Sequence, residues 1–212
     1  NRVYKFGLAA LALIGSAYMS SYTLQALNLN GFRLIEARLN HYIDNLDNYE
    51  YERYPVRLAE KDDIPSLREV ASNNINSYDR LHADSFINPA LANEYLATYI
   101  ENAVNGFSDA VIVPNIKKEK AKGFMTLNLL KKDSKRLNKN IGRLQLSAID
   151  KSLKGWYIKL ASEAIYYAKE REIKSMLVTT QVTNRAAFHS SEKQGFKLGS
   201  VTYVLTHSNI KK

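Results

Sequence analysis

The order of predicted elements after Pro55 is the feature that most constrains the fold of this chain. From Val56 onward the sequence predicts a strand, two helices, three strands, a helix, a strand, a helix and a final strand. The strands are short apolar runs, whereas the helices carry apolar residues spaced three and four positions apart. Because helices connect several of the strands, this order predicts a mixed sheet with crossover helices, which is an α/β architecture.

Glycine, proline and capping residues set the predicted bounds of these elements. The predicted strands are Val56–Ala59, Ala110–Val113, Gly123–Leu130, Gly142–Ile149, Ser175–Gln181 and Ser200–Thr206. The predicted helices are Asp62–Ser77, Pro89–Asn105, Leu153–Glu170 and one opened by Asn184.

A separate pattern precedes Val56. A helix is predicted over Tyr18–Leu29, Asn30-Gly31 ends it, and Phe32–Ala37 reads as a strand. The polar, tyrosine-rich stretch Asp44–Tyr54 has no apolar period, which favours a linker. We therefore expect an N-terminal helix–strand domain within residues 1–50, trimmed or incomplete, and a main domain over residues 55–212.

Composition excludes several classes of protein. Hydrophobic residues make up 45% and charged residues 24% of the chain, which is typical of a soluble globular domain. The absence of cysteine excludes disulfides, thiolate metal sites and cysteine nucleophiles, and fits a cytoplasmic protein. The apolar run Phe6–Ile14 is too short to span a bilayer, so we expect the chain to start inside, or be trimmed to, a folded domain.

A formal net charge of +9 favours an anionic partner without identifying it. The lysines at 117–122 and 131–139 form two clusters, predicted to lie on exposed hairpins or loops. No stacking aromatics are interleaved with these charges, so we interpret both clusters as solvated surface. We expect neither a nucleic-acid nor a membrane partner.

The segment Ile149–Tyr157 is the first candidate for chemistry, because a strand there meets the start of a long helix. Backbone N–H groups at such a start have no intrahelical partner and can bind an anion such as a pyrophosphate. Lys151 and Lys154 add positive charge. A single glycine at this kind of turn, Gly155, also has a purely geometrical explanation.

A second segment, Thr180–Phe188 followed by Gln194-Gly195-Phe196, is a strand end, an Asn-opened helix and a Gly-Phe stop. Together the two segments resemble the signature of the GNAT superfamily of N-acetyltransferases. Asn184, Ala187, Gly195 and Phe196 match that signature, whereas Ser191 stands where the family has a tyrosine. At the family's phosphate-binding turn the chain has Ser152, Gly155 and Tyr157, so only the central glycine is kept.

The stretch Val56–Gly106 resembles, within this superfamily, the TDP-fucosamine acetyltransferase type. The similarity is carried by the helix start at Asp62–Arg68, the loop Asp79–Asp84 and the helix end at Tyr99–Val104. Leu24–Ala37 is similar to the additional N-terminal half of those enzymes. They acylate the amine of a dTDP-linked amino-dideoxyhexose.

The resemblance implies a GNAT fold, with a mixed, mostly antiparallel central sheet flanked by helices and a small N-terminal α/β half-domain. It implies acetyl-CoA or another acyl-CoA as co-substrate, no metal, and direct attack by the amine of a nucleotide-linked amino sugar. Two alternatives stay open: an acetyltransferase for another small amine or a peptide, and a catalytically inactive GNAT-like ligand-binding protein. The oligomeric state also stays open, with a homodimer as one option.

The resemblance also implies which residues form the site. The tyrosine position makes Ser191 the candidate proton donor to sulfur, directly or through a water, with Tyr157 and Tyr203 as substitutes and simple packing as the alternative. His82 and Glu101 are candidate bases, while Arg80, His82 and Asp84 are candidate contacts to the nucleotide sugar; a surface ion pair or loop cap is the alternative for each. The candidate CoA-binding residues are Leu146, Ser147, Ile149, Ser152, Leu153, Lys154, Gly155, Trp156, Tyr157 and Asn184.

Overall fold

A computed structural model describes residues 21–74, 76–116 and 120–207 of the chain. Its centre is a seven-stranded sheet with the strand order β2-β3-β4-β5-β6-β1-β7. The strands are β1 (Arg33–Asp44), β2 (Val56–Leu58), β3 (Ala110–Pro114), β4 (Gly123–Leu129), β5 (Ile141–Ile149), β6 (Ser175–Gln181) and β7 (Lys197–Thr206). The helices are α1 (Ser21–Leu29), α2 (Ile64–Asn73), α3 (Pro89–Asn102), α4 (Lys131–Leu137), α5 (Trp156–Lys169) and α6 (Arg185–Lys193).

The sheet is mixed and mostly antiparallel, as predicted. Only β5 and β6 pair in parallel, and α5 makes the crossover between them. The other neighbouring pairs, including β1 with both β6 and β7, are antiparallel. The α/β class therefore follows from the predicted order of elements.

Alternation along the strands creates a core on each face of the sheet. In β3, Ile112 packs with α5 in one cluster, whereas Val111 and Val113 pack with α2 and α3 in the other. In β4, Met125 belongs to the α5 cluster and Phe124 to the α2–α3 cluster. The sheet therefore has an α5 face and an α2–α3 face.

The N-terminal segment contributes a strand to the interior of this sheet. β1 is longer than the strand predicted over Phe32–Ala37, and it lies between β6 and β7. Asn40 on β1 donates to the hydroxyls of Ser200 and Thr202 on β7, which shows why a strand with polar residues is stable there. The sheet is continuous across the predicted domain boundary at residues 50–55.

The stretch predicted to be a linker packs along α5. The Tyr166 hydroxyl on α5 accepts a hydrogen bond from the Tyr51 backbone N–H and donates to the Tyr51 carbonyl, both at 2.7 Å. Tyr49 is buried in the α5 cluster. The stretch has no apolar period because tyrosine rings and hydroxyls, rather than the apolar stripe of a helix, make its contacts.

Local differences from the sequence prediction have local causes. Helix α2 ends at Asn73, before the predicted Ser77, and a short 3₁₀ turn at Lys61–Asp63 precedes it. Helix α5 begins at Trp156 rather than Leu153, because Lys151–Leu153 form another 3₁₀ turn.

The lysines at 131–139 lie largely on α4, an exposed helix without buried residues, rather than on a hairpin or loop. Part of the lysine cluster at 117–122 lies outside the described residues. So does the N-terminal segment up to residue 20, which contains the apolar run Phe6–Ile14. Among the helices that the structure describes, none is both long and apolar enough to cross a membrane.

Candidate active site

The strands β5 and β6 separate partway along their length. Their parallel pairing runs from Ile141 with Ser175 to Leu144 with Val178 and then stops. The remainder of β5, up to Ile149, and the end of β6 continue apart. Beyond Leu144, the edge of β5 that faces β6 therefore has no ladder partner on that strand.

A cleft of about 270 Å³ opens between the separated strands. Residues from both faces of the sheet line it: Tyr157 and Ala187 come from α5 and α6, whereas Ala71, Tyr95 and Tyr99 come from α2 and α3. A ligand in this cleft is thus accessible from two sides. This arrangement suits a reaction in which two substrates meet at the centre of a sheet.

A β-bulge shapes the β5 wall of the cleft. The β4–β5 register shifts between Met125 and Leu127, so β5 has an extra residue opposite Thr126. The Thr126 hydroxyl accepts from the Leu146 backbone N–H at 2.9 Å and donates to the Leu146 carbonyl at 3.2 Å. Both backbone groups of Leu146 are therefore engaged within the sheet, although Leu146 and Ser147 line the cleft.

The turn after β5 leads into the start of α5. Asp150 accepts a hydrogen bond from the Ser152 backbone N–H at 2.9 Å, and its side chain also binds the Ser152 hydroxyl. Gly155 directly precedes the helix with φ of 88°, and a Cβ at this position would meet no atom within 4 Å. The start of α5 thus presents backbone N–H groups beside open space, which is the geometry of an anion site.

Most other predicted CoA-binding residues in this region do not line the cleft itself. Ile149 pairs with Gly123 inside the sheet, and Leu153 is buried. Lys154 is exposed beside the turn, and Trp156 packs against the α5 cluster. Any contact of these residues with a ligand would be at the turn rather than in the cleft.

Tyr157 is the residue of the predicted CoA-binding segment that reaches the cleft wall. Burial raises the pKa of its phenol to about 12, and the nearby Ser191 hydroxyl on α6 lowers it by a smaller amount. Ser191 is itself buried, and its Oγ donates to the Ala187 carbonyl at 3.0 Å. The cleft therefore has a protonated phenol on its wall and the serine behind it.

Asn184 is both the cap of a helix and a residue of the cleft wall. Its Oδ1 accepts from the Ala187 backbone N–H at 3.2 Å, so it caps α6, and it also lines the cleft. Helix α6 begins at this cleft because Asn184 fixes its first turn there.

Among the three predicted substrate-binding residues, Arg80 lines the cleft and is exposed. His82 does not line it. The His82 side chain is buried, with Nδ1 2.6 Å from Asp79 Oδ2 and Nε2 2.8 Å from Asn93 Oδ1. Burial opposes the charged ring, but the hydrogen bonds to Asn93 and Asp79 outweigh it and raise the pKa of His82. Held at both nitrogens, this ring has no free atom to accept a substrate proton.

Asp84 also anchors the loop between α2 and α3 rather than facing the cleft. It is buried, forms a 3.0 Å salt bridge with Arg33 on β1, and accepts from Thr206 on β7. Asn76, at the other end of the loop, donates to Gln181 on β6 at 3.1 Å. These contacts fix the loop against the sheet and leave Arg80 at the opening.

Glu101, the second candidate base, lies on α3 outside the set of described cleft residues. It forms a salt bridge with Arg68 on α2, and Arg68 also binds Glu94 at 2.7 Å. This is an ion-pair network that joins the two helices.

Two charged residues of the cleft were not found from the sequence. Glu36 and Arg38 on β1 both line it, and Arg38 Nη2 lies 2.8 Å from Glu36 Oε2. Glu36 is only 5% exposed. Glu36 lies within the strand predicted over Phe32–Ala37 and Arg38 directly follows it; this spacing of two was the available signal, because such residues share a face of a strand.

Neither family models nor curated proteins match this sequence. Several solved structures are similar to it in fold. A GNAT-family acetyltransferase from Colwellia psychrerythraea superposes with a TM-score of 0.58 at 14% identity, over 93% of this chain and 65% of that protein. The chain therefore spans less than two thirds of that relative.

Two further structures are similar. A conserved protein of unknown function from Staphylococcus epidermidis has a TM-score of 0.66 at 13% identity, over 95% of this chain and 73% of its own. A GCN5-related glucosamine N-acetyltransferase region of a fungal multi-domain β-N-acetylglucosaminidase has a TM-score of 0.63 at 13% identity, over 91% of this chain and 24% of that protein. With its splayed strands and the helix start beside them, the chain has the GNAT fold.

Proposed function

We propose that this protein transfers an acyl group, acetyl by default, from an acyl-CoA to an amine. The observation that carries the proposal is the cleft between β5 and β6, which is open to both faces of the sheet and has the start of α5 beside it. The shared fold with GNAT acetyltransferases supports the same reaction class.

The chain has the features that an acyl-CoA requires. The N–H groups at the start of α5 and the nearby Lys151 and Lys154 suit a pyrophosphate, and Gly155 leaves space for it. The unpaired edge of β5 beyond Leu144 suits the amide groups of a pantetheine arm, which can pair with it as a strand would. When bound there, the acyl-CoA supplies an activated acyl group as a thioester.

Tyr157 is the residue that we assign to the leaving sulfur. Its phenol, whose pKa burial raises to about 12, is protonated at neutral pH. It can therefore donate a hydrogen bond to a developing negative charge on the cleft wall. Ser191 lies behind this phenol, and the Ser191 proton is directed to the Ala187 carbonyl.

For the acceptor, we retain the amine of a nucleotide-linked amino sugar. Arg80 supports this choice, because an exposed guanidinium at the cleft opening suits a phosphate group. The structural similarity to a protein described as a glucosamine N-acetyltransferase region supports an amino-sugar acceptor. His82 and Asp84 do not contribute to this support, because they anchor the loop.

Thiol release from acetyl-CoA, measured with dTDP-amino sugars, free amino sugars, polyamines and peptide amines, tests the proposal. We expect turnover with an amino sugar and a lower KM for the nucleotide-linked form. Turnover only with amines that are not amino sugars would overturn the acceptor assignment. Calorimetry with CoA is the companion measurement: binding without turnover of any amine would indicate a ligand-binding protein, and no binding would overturn the proposal.

A further inference from the structure

The acceptor side of the cleft contains one buried carboxylate, among the residues described, whose second oxygen is unpaired. Glu36 is 5% exposed and lines the cleft. Arg38 occupies its Oε2 at 2.8 Å. Within the described ranges, Glu36 Oε1 has no hydrogen-bond partner. Oε1 is thus the Glu36 oxygen that a ligand or a water in the cleft can reach.

The register of β1 places Glu36 on the side of the sheet away from α6. Leu39 pairs with Thr180 and His41 with Val178, and His41 packs against Phe188 of α6 at a ring distance of 5.4 Å. Arg38, which pairs with Gln181, lies on the opposite face. Glu36 shares that face with Arg38 and extends beyond the last β1–β6 pair, where the cleft opens.

This placement separates Glu36 from the features assigned to acyl-CoA. The start of α5 and Tyr157 are on the α5 side, whereas Glu36 is joined at the cleft by Tyr95 and Tyr99 of α3. Glu36 therefore lies on the side of the cleft by which an acceptor can enter between the sheet and α3.

We infer that Glu36 is the residue that binds the acceptor's amine and takes its proton, with Arg38 as the positioning residue that holds the carboxylate in place. The inference rests on the proposed function and identifies the acceptor class as a primary amine that enters protonated. Glu36 Oε1 accepts one proton from the ammonium group, which frees the nitrogen lone pair. That pair forms the N–C bond to the acyl carbon while the C–S electrons leave with sulfur. A second proton of the nitrogen neutralises the thiolate, and Glu36 returns its proton to solvent.

Glu36→Gln tests the inference, because glutamine keeps the size of the side chain and cannot take the proton. We expect kcat/KM for the amine to fall by about a hundredfold at neutral pH, within the usual range for a general base, with unchanged CoA affinity. The loss should shrink as pH rises toward the pKa of the amine, where the free base enters unaided. A merely structural role would give a loss that does not depend on pH.

Glu69→Gln is the matched control, since Glu69 is exposed on α2 and lies outside the cleft. Glu36→Asp is the second variant: it should recover part of the activity if the carboxylate acts chemically, and it keeps the test informative if glutamine disturbs folding. Wild-type activity in Glu36→Gln, or a loss independent of pH, would overturn the role of Glu36. Failure of the proposed function is distinguishable, because the wild-type protein would then release no thiol with any amine.

Discussion

The Tyr157 phenol on α5 neighbours the Ser191 hydroxyl on α6, and of these two residues the tyrosine lines the cleft. Ser191 occupies the position at which the resemblance to GNAT enzymes implies a tyrosine, and in our proposal the phenol comes from α5 instead. The serine remains buried and binds the Ala187 carbonyl. The hydroxyl at the cleft is therefore that of Tyr157, and not that of the residue at position 191.

Tyr157→Phe should lower kcat about ten- to a hundredfold with little change in either KM, because it removes a donor that acts mainly as charge develops on sulfur. Steady-state kinetics with acetyl-CoA and the amine measure this effect. Ser191→Ala should cost less, since Ser191 is buried behind the phenol and does not line the cleft. A larger loss in Ser191→Ala than in Tyr157→Phe would instead make the serine the direct donor.

Gly155→Glu should weaken CoA binding at least about tenfold more than Gly155→Gln. Both side chains impose the same strain at φ of 88°, but only glutamate brings a negative charge to the start of α5. Calorimetry with CoA compares the two variants, and circular dichroism checks that both are folded. Equal CoA affinities of the two variants would show that the turn does not form the phosphate site.

Arg80→Ala should raise the KM of a phosphate-bearing acceptor about tenfold and leave that of acyl-CoA unchanged, because Arg80 lies at the acceptor opening. The comparison variant is Glu101→Ala, which breaks the ion pair with Arg68 outside the cleft and should leave both constants unchanged. An equal rise for both substrates in Arg80→Ala would indicate a structural role.

Two buried histidines should give the stability of the fold opposite dependences on pH. Burial lowers the pKa of His41 from its ordinary value of 6.5, so its stabilising contribution is present above about pH 6.5 and is lost as pH falls through the folded value. His41→Leu should therefore lose less stability than the wild type on acidification, by about 1 kcal/mol per pH unit just below 6.5.

The contribution of His82 to the stability of the fold depends on pH with the opposite sign. Its raised pKa favours the protonated ring in the folded state, so the contribution is complete below about pH 6.5 and is lost as pH rises through the folded value. Chemical denaturation of His41→Leu and His82→Gln across this range separates the two. Parallel pH profiles for the two variants would contradict the assignment.

The sequence by itself determined most of the elements and their order, whereas α4 was not predicted. Strand alternation, helical spacing, the glycine before α5 and the asparagine that caps α6 act within a few residues, so they are legible in one segment. This is why the α/β class and the turn at Gly155 were predictable. The starts of α2 and α5 differed from the prediction because a 3₁₀ turn precedes each helix.

Only the tertiary structure decided which residues meet at the cleft. Residues of the loop between α2 and α3 were predicted together as substrate contacts, yet packing turned His82 and Asp84 inward and left Arg80 at the opening. Glu36 reaches the site because β1 is inserted between β6 and β7, with a register shift between Leu34 and Glu36. Strand order and register join segments far apart in the chain, and a single shifted residue exchanges the faces of a strand. That information lies in the packing of the whole sheet rather than in any one segment.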